Sequence, residues 1–185
     1  MDFSRLIISF IVLLMCTSTW ADTPTVDAPL PLLAITERGE LTMTNDEFSF
    51  TPWSSDTEVG KVQVIQYFGA TMTDKDTFEP FTDLLQTSFE PGVVHVTTVL
   101  NLDAALWGTT GLVISELKKN KRLVPEATMI LDDNGIGIID WGLGDAGTGL
   151  IIVDEAGTVK YFSREALSEV DMATALDLIR ANIKS

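Results

Sequence analysis

Lys61-Val62-Gln63-Val64-Ile65-Gln66-Tyr67-Phe68 begins with alternation and ends as an apolar run, the pattern of a central strand covered on both faces. Over residues 73–89 the period changes to that of a helix. Phe78, Phe81, Leu84, Leu85 and Phe89 fall at helical spacing, and Asp74 and Asp76 lie near the start, where the helix dipole favours acids. Pro80 crosses this segment, so one helix kinked at that point is expected. Residues 93–100 repeat the buried-strand pattern, and after a loop rich in Gly and Thr a second helix is expected from about Gly111 to Asn120. Strand, helix, strand, helix at these spacings implies parallel crossovers in an α/β sheet.

Outward from this centre the elements are shorter. Residues 23–31 form a Pro-containing approach without periodicity; residues 32–35 and 41–43 read as hairpin strands turning at Gly39. Beyond Pro125, residues 128–131 and 136–139 flank Asp132-Asp133-Asn134-Gly135, and residues 150–153 and 158–162 flank Asp154-Glu155-Ala156-Gly157; both read as hairpins with β-turns. The last helix is expected to start at Ser168, with Asp171 three residues on as a capping-box partner. Met172, Leu176, Ile179 and Ile183 form its buried stripe, and Arg180 and Lys184 lie near its end. With no repeat and no linker, residues 22–185 are expected to form a single domain.

The chain has 185 residues, of which 45% are apolar, and a net charge of −15, which excludes disorder and repels a phosphate backbone. Nucleic acid is therefore not expected as a partner. One Cys and one His leave no zinc cage, disulfide framework or dithiol pair, and no motif calls for a metal or a cofactor. Arg5, the apolar residues 6–15 and the small residues Thr19 and Ala21 have the layout of a cleaved secretory signal over residues 1–21. Its apolar core is too short for the ~20 residues of a permanent span. Lipidation at Cys16 is disfavoured by the bulky Met15 before it. Cleavage after Ala21 would leave residues 22–185 without cysteine and, since Asp2 and Arg5 leave together, with the net charge unchanged at −15. Periplasmic export, with no permanent membrane span, is the expectation.

The order of elements resembles the thioredoxin-like fold in its longer peroxiredoxin form, over nearly all of residues 30–184. Residues 60–68 resemble the strand leading into the active-site loop of those proteins, and Pro80 stands about where thioredoxins keep a kinking proline. Residues 131–135 with Trp141-Gly142-Leu143, then residues 151–159, resemble the paired "D-x-x-G" and "I-x-D-x-x-G-x-V" segments of the peroxiredoxin second half. More narrowly, Ile35-Thr36-Glu37-Arg38-Gly39-Glu40-Leu41, Asn45-Asp46-Glu47-Phe48-Ser49-Phe50, Trp53 and Val59-Gly60-Lys61-Val62 are similar to the YtfJ family of exported bacterial proteins. The resemblance implies a three-layer α/β/α thioredoxin-like fold with a central mixed sheet and an N-terminal β-hairpin.

The departures from that pattern bear on chemistry. Against the peroxiredoxin Thr-x-x-Cys motif, Thr73 matches the threonine and Asp76 stands where the peroxidatic cysteine would be; against a thioredoxin Cys-x-x-Cys, the sulfur positions fall on Met72 and Lys75. Thr148, six residues before Asp154, stands where thioredoxins place a cis-proline. Neither register keeps a thiolate, so thiol redox and peroxidase activity are expected to be absent. The candidate binding loop comprises Thr71, Met72, Thr73, Asp74, Lys75 and Asp76, with Thr148 beside it; it ends a central strand and opens a helix, where α/β folds bind ligands. Capping explains the same composition, with Thr73 as N-cap and the two Asp in the first turn. His95 reads as structural, because no partner nucleophile or orienting group accompanies it. Lys118, Lys119, Lys121 and Arg122 read as cations at a helix C-terminus, with an anion or partner patch as the other reading. Trp53, Trp107 and Trp141 read as core or lid residues. The expected function is binding, as an accessory protein with an envelope protein as partner. The alternatives are a non-thiol enzyme or ligand-binding protein using residues 71–76, and a pseudo-enzyme that competes at the surfaces of redox proteins.

Overall fold

The computed structural model describes residues 22–57 and 60–183. Residues 1–21, Val59 and Lys184, which entered the readings above, lie outside the described residues. The strands are β1 (Ala34–Thr44), β2 (Glu47–Ser54), β3 (Gln63–Gly69), β4 (His95–Asn101), β5 (Thr128–Asp132), β6 (Gly149–Val153) and β7 (Val159–Ser163). They form one sheet in the order β2-β1-β5-β4-β3-β6-β7. β3, β4 and β5 run parallel, while β6 is antiparallel to β3 and β1 antiparallel to β5. The helices are α1 (Met72–Lys75), α2 (Glu79–Ser88), α3 (Thr110–Leu123), α4 (Ile136–Asp140) and α5 (Glu169–Asn182).

Side chains alternate across a strand, so each strand serves two cores. Ile65 and Tyr67 of β3, Val99, Ile130 and Ile151 face one side, where Leu33, Trp53, Trp141 and Leu143 close over them together with Ile136 and Ile138 of α4. Val64, Phe68, Leu150 and Ile152 face the other side, against Phe81 and Leu85 of α2 and Leu176 and Ile179 of α5. Met129 and Leu131 meet Leu117 of α3 there, and Leu100 joins these two clusters. The expected α/β/α layering, mixed sheet and N-terminal hairpin are all present. Among the described residues no helix is long and apolar enough to cross a membrane.

Several local expectations change. The hairpin turns at Asn45 and Asp46, whose φ values of 51° and 65° suit a two-residue turn. Gly39 is instead a bulge inside one long β1: its φ is +71°, the register shifts between Ile35 and Glu40, and a Cβ there would strike the Thr51 carbonyl. The single kinked helix over residues 73–89 is two helices. Pro80 lies in the first turn of α2, where its missing N–H costs nothing, and Thr71 rather than Thr73 is the N-cap of α1, its Oγ1 accepting from the Asp74 amide at 3.1 Å. Residues 136–140 form α4, not the second strand of a hairpin. At the C-terminal end the capping box of Ser168 and Asp171 forms as expected.

Candidate functional site

The parallel strands β3, β4 and β5 end together at Gly69, Asn101 and Asp132, and their backbones interlock there. The Ala70 amide donates to the Asn101 carbonyl at 2.9 Å and the Leu102 amide to the Asp132 carbonyl at 2.8 Å. A Cβ on Gly69 would meet both the Asp74 carboxylate and Ala104 Cβ, so the loops after β3 and β4 lie side by side. Within this edge, Thr73 and Asp76 are exposed and Thr71 and Asp74 half-buried; Met72 and Lys75 lie on the single turn of α1, and Asp76 is its C-cap. Gly149, the first residue of β6, pairs with Tyr67 near the end of β3, and Thr148 precedes it in the chain. Thr148 is buried, and its hydroxyl donates to the Arg164 carbonyl. The described peptide bonds are all trans, that before Thr148 included.

Beneath the loops is a polar centre that the sequence reading missed. Asp132 has no exposed surface, and its two oxygens accept from the Tyr67 hydroxyl at 2.8 Å and from the amides of Gly137 at 2.9 Å, Ile136 at 3.0 Å and Asn134 at 3.3 Å. A buried acceptor with this many donors fixes the geometry around it, since each donor would otherwise be left unpaired. Burial first, then the Asp132 charge, pushes the Tyr67 hydroxyl far above its usual value, so it stays protonated and donates; Asp103 acts in the same direction. Gly137 permits this arrangement, because a Cβ there would run into the Tyr67 ring. One signal was available in the sequence: a tyrosine inside an apolar strand needs a hydrogen-bond partner.

The other candidates have structural partners. Asp133 accepts both its hydrogen bonds from Arg38 Nε, at 2.8 and 2.9 Å. His95 is half-buried, with Nε2 3.0 Å from Thr128 Oγ1. Burial and then the charges of Lys61 and Lys121 push its pKa down. The run of cations on α3 is largely folded onto the protein. Lys118 and Arg122 lie over the Phe48 ring at 5.5 and 4.6 Å, Lys121 is buried with Nζ donating to the Ala127 carbonyl at 2.6 Å, and Lys119 pairs with Glu116 at 3.7 Å. Trp53 and Trp141 are core residues, whereas Trp107 is fully exposed. On the helical side, α2 and α3 stand apart over β4 and leave a groove of about 700 Å³ walled by Leu85, Phe89, Val96 and Met129.

A family model described as "Bacterial protein of unknown function (YtfJ_HI0045)" matches residues 25–182. The chain belongs to this family. It is 30% identical over 169 residues to an uncharacterized protein of Haemophilus influenzae, covering 91% of this chain and 92% of that one. It is also 30% identical over 156 residues to the uncharacterized protein YtfJ of Escherichia coli, covering 84% and 85%. Among solved structures it is similar to AhpC of Mycobacterium bovis, with TM-score 0.54 and 17% identity over 85% of this chain and 98% of that one. A thiol:disulfide interchange protein of the thioredoxin family from Chlorobium tepidum gives TM-score 0.50 and 14% identity over 88% and 100%. At these identities the structural likeness establishes the thioredoxin-like fold and nothing of the reaction. In this member of the family, the loop after β3 carries Thr71, Met72, Thr73, Asp74, Lys75 and Asp76 on that fold.

Proposed function

We propose that this is a periplasmic protein, exported through a cleaved signal at residues 1–21, that uses a thioredoxin-like scaffold for binding as an accessory factor of the cell envelope. The observation that carries the reading is the make-up of the loop after β3. This edge of an α/β sheet is where ligands are taken, and residues 22–185 bring no thiol to it. Two of its side chains serve the fold: the Thr71 hydroxyl caps α1, and the Asp74 carboxylate lies against Gly69. What the loop offers a partner is its exposed rim, including Thr73 and Asp76.

The test is photo-crosslinking in living cells from position 73, with mass spectrometry of what is trapped. The expected result is one reproducible envelope protein, lost when Lys75 and Asp76 are both replaced by Ala. Turnover of a substrate by the purified protein, abolished by Asp76→Asn, would overturn the reading in favour of a non-thiol enzyme. N-terminal sequencing of the protein from the periplasmic fraction tests export, with Asp22 expected as the first residue.

A further inference from the structure

The loop joining β4 to α3 lies against the candidate loop, and its surface is of the wrong kind for water. Trp107 is 101% exposed, Leu106 74% and Leu112 72%, so three of the large apolar side chains left in solvent fall within seven residues. The backbone that carries them is ordered: the Thr109 amide and hydroxyl both donate to the Leu106 carbonyl, and the Leu112 amide donates to the Thr109 carbonyl at 2.9 Å. An exposed Trp on an ordered turn presents about 150–250 Å² of surface for burial at little further cost in conformational freedom. Trp is also enriched among residues that dominate binding energy. The charge around it is predominantly negative. Over residues 69–76 and 101–112 the two loops hold Asp74, Asp76 and Asp103 against a single cation, Lys75, on a protein of net charge −15.

We infer that Leu106 and Trp107 anchor a basic, apolar segment of a partner protein laid across the loops after β3 and β4. This rests on the binding reading above and narrows the partner. The charge argues against the other occupants. A second copy would bring another −15 to the same surface, and an anionic lipid surface would be repelled, while a segment with Lys or Arg beside its apolar residues meets the exposed Asp76 and Asp103 as its apolar side chains cover Leu106 and Trp107.

The probes are two synthetic twelve-residue peptides with the same Leu, Val and Phe positions, one carrying Lys and Arg between them and the other Glu. They are titrated into the purified protein while the Trp107 indole N–H resonance is followed. The basic peptide is expected to move that resonance. Its affinity should fall about tenfold or more on going from roughly 50 to 500 mM salt, and about tenfold in Trp107→Ser, with Leu106→Ser as a second exposed variant. The acidic peptide is expected to leave it unmoved. Equal binding of both peptides, unchanged affinity in Trp107→Ser and Leu106→Ser, a response confined to residues away from this loop, a Trp107 shift caused instead by zwitterionic vesicles, or dimerisation lost in Trp107→Ser would each overturn the inference. The crosslink from position 73 separates the two proposals. A partner trapped there whose yield is unchanged by Trp107→Ser keeps the accessory role and removes this anchor; a basic peptide that moves Trp107 while position 73 traps nothing keeps the anchor and removes the loop reading.

Discussion

The two faces of the sheet are closed in different ways. On the face of Tyr67 and Trp141 the cover is held by directional bonds: Trp141 Nε1 donates at 3.0 Å to the carbonyl of Pro31, in the segment before β1, and Asp132 gathers the end of β5, the start of α4 and the Tyr67 hydroxyl. On the helical face the contacts are mostly apolar, with one polar pair between sheet and helix, Gln66 of β3 with Thr82 of α2 at 2.8 Å, and between α2 and α3 they part to leave the groove over β4. A polar bond buried from water holds one geometry, whereas apolar contact alone tolerates a gap. Rigidity is therefore expected beneath the candidate loops and tolerance to substitution along the groove.

The largest effect should come from Trp141→Ala, which empties the centre of the closed face and leaves the Pro31 carbonyl with only the Ser55 hydroxyl as donor, at about 4 kcal/mol in urea unfolding. Val96→Ala on the groove wall should cost under about 1 kcal/mol, because that side already borders open space; equal costs would break the comparison. Next, Asp132→Asn should lose about 2–3 kcal/mol, since an amide nitrogen would face donors that an oxygen now accepts. Tyr67→Phe should lose about 1 kcal/mol, and the double variant less than the sum, which a double-mutant cycle measures. Adding volume sharpens the contrast further. Gly137→Ala should destabilise by about 2 kcal/mol through the Tyr67 ring, while Val96→Ile should leave stability unchanged or raise it by up to about 1 kcal/mol.

The smallest effect is a pH dependence. The His95 imidazole beside the groove is held below its ordinary value of 6.5 by burial and by Lys61 and Lys121, with Glu126 opposing them. The unfolded chain therefore takes up the proton first, and this contribution to stability is intact above about pH 6.5 and lost as the pH falls through the folded value. Urea midpoints across that range should slope less in His95→Gln. Asp154 works further down: burial opposes its charge, but the amides of Thr158 and Ala156 and the Lys160 ammonium outweigh that and lower its pKa, so its contribution is present above about pH 4 and lost below.

Much of this architecture could be read from residues. The buried-strand pattern in β3 and β4, the turn between β6 and β7 and the Ser168 capping box each depend on neighbours in the chain, and local pattern describes such features well. Ile136-Gly137-Ile138-Ile139 could not be read that way, because a short apolar run fits strand and helix equally. Gly135, with φ +64°, and the amides that Asp132 collects decide for the helix, and Tyr67, the fourth donor, lies 65 residues from Asp132. The cations of α3 were legible as charges, but Phe48, on which two of them lie, comes from β2. Trp107 shows the same limit from the other side, since an aromatic residue in a Gly- and Thr-rich loop does not reveal in sequence that nothing covers it.

A sheet of seven strands that does not close on itself has two margins, here β2 and β7, and residues 27–30 already cover the start of β7: the Asp27 amide donates to the Val159 carbonyl at 2.8 Å and the Val159 amide to the Ala28 carbonyl at 2.9 Å. A free margin is a template on which another extended chain can add, the first step toward a fibre. Pro52 takes one donor out of β2, and β7 is five residues long with Lys160 within it and Arg164 just beyond. Together with the mutual repulsion of chains at −15, these margins make the folded molecule a poor seed for its own polymerisation, even where many copies are crowded together.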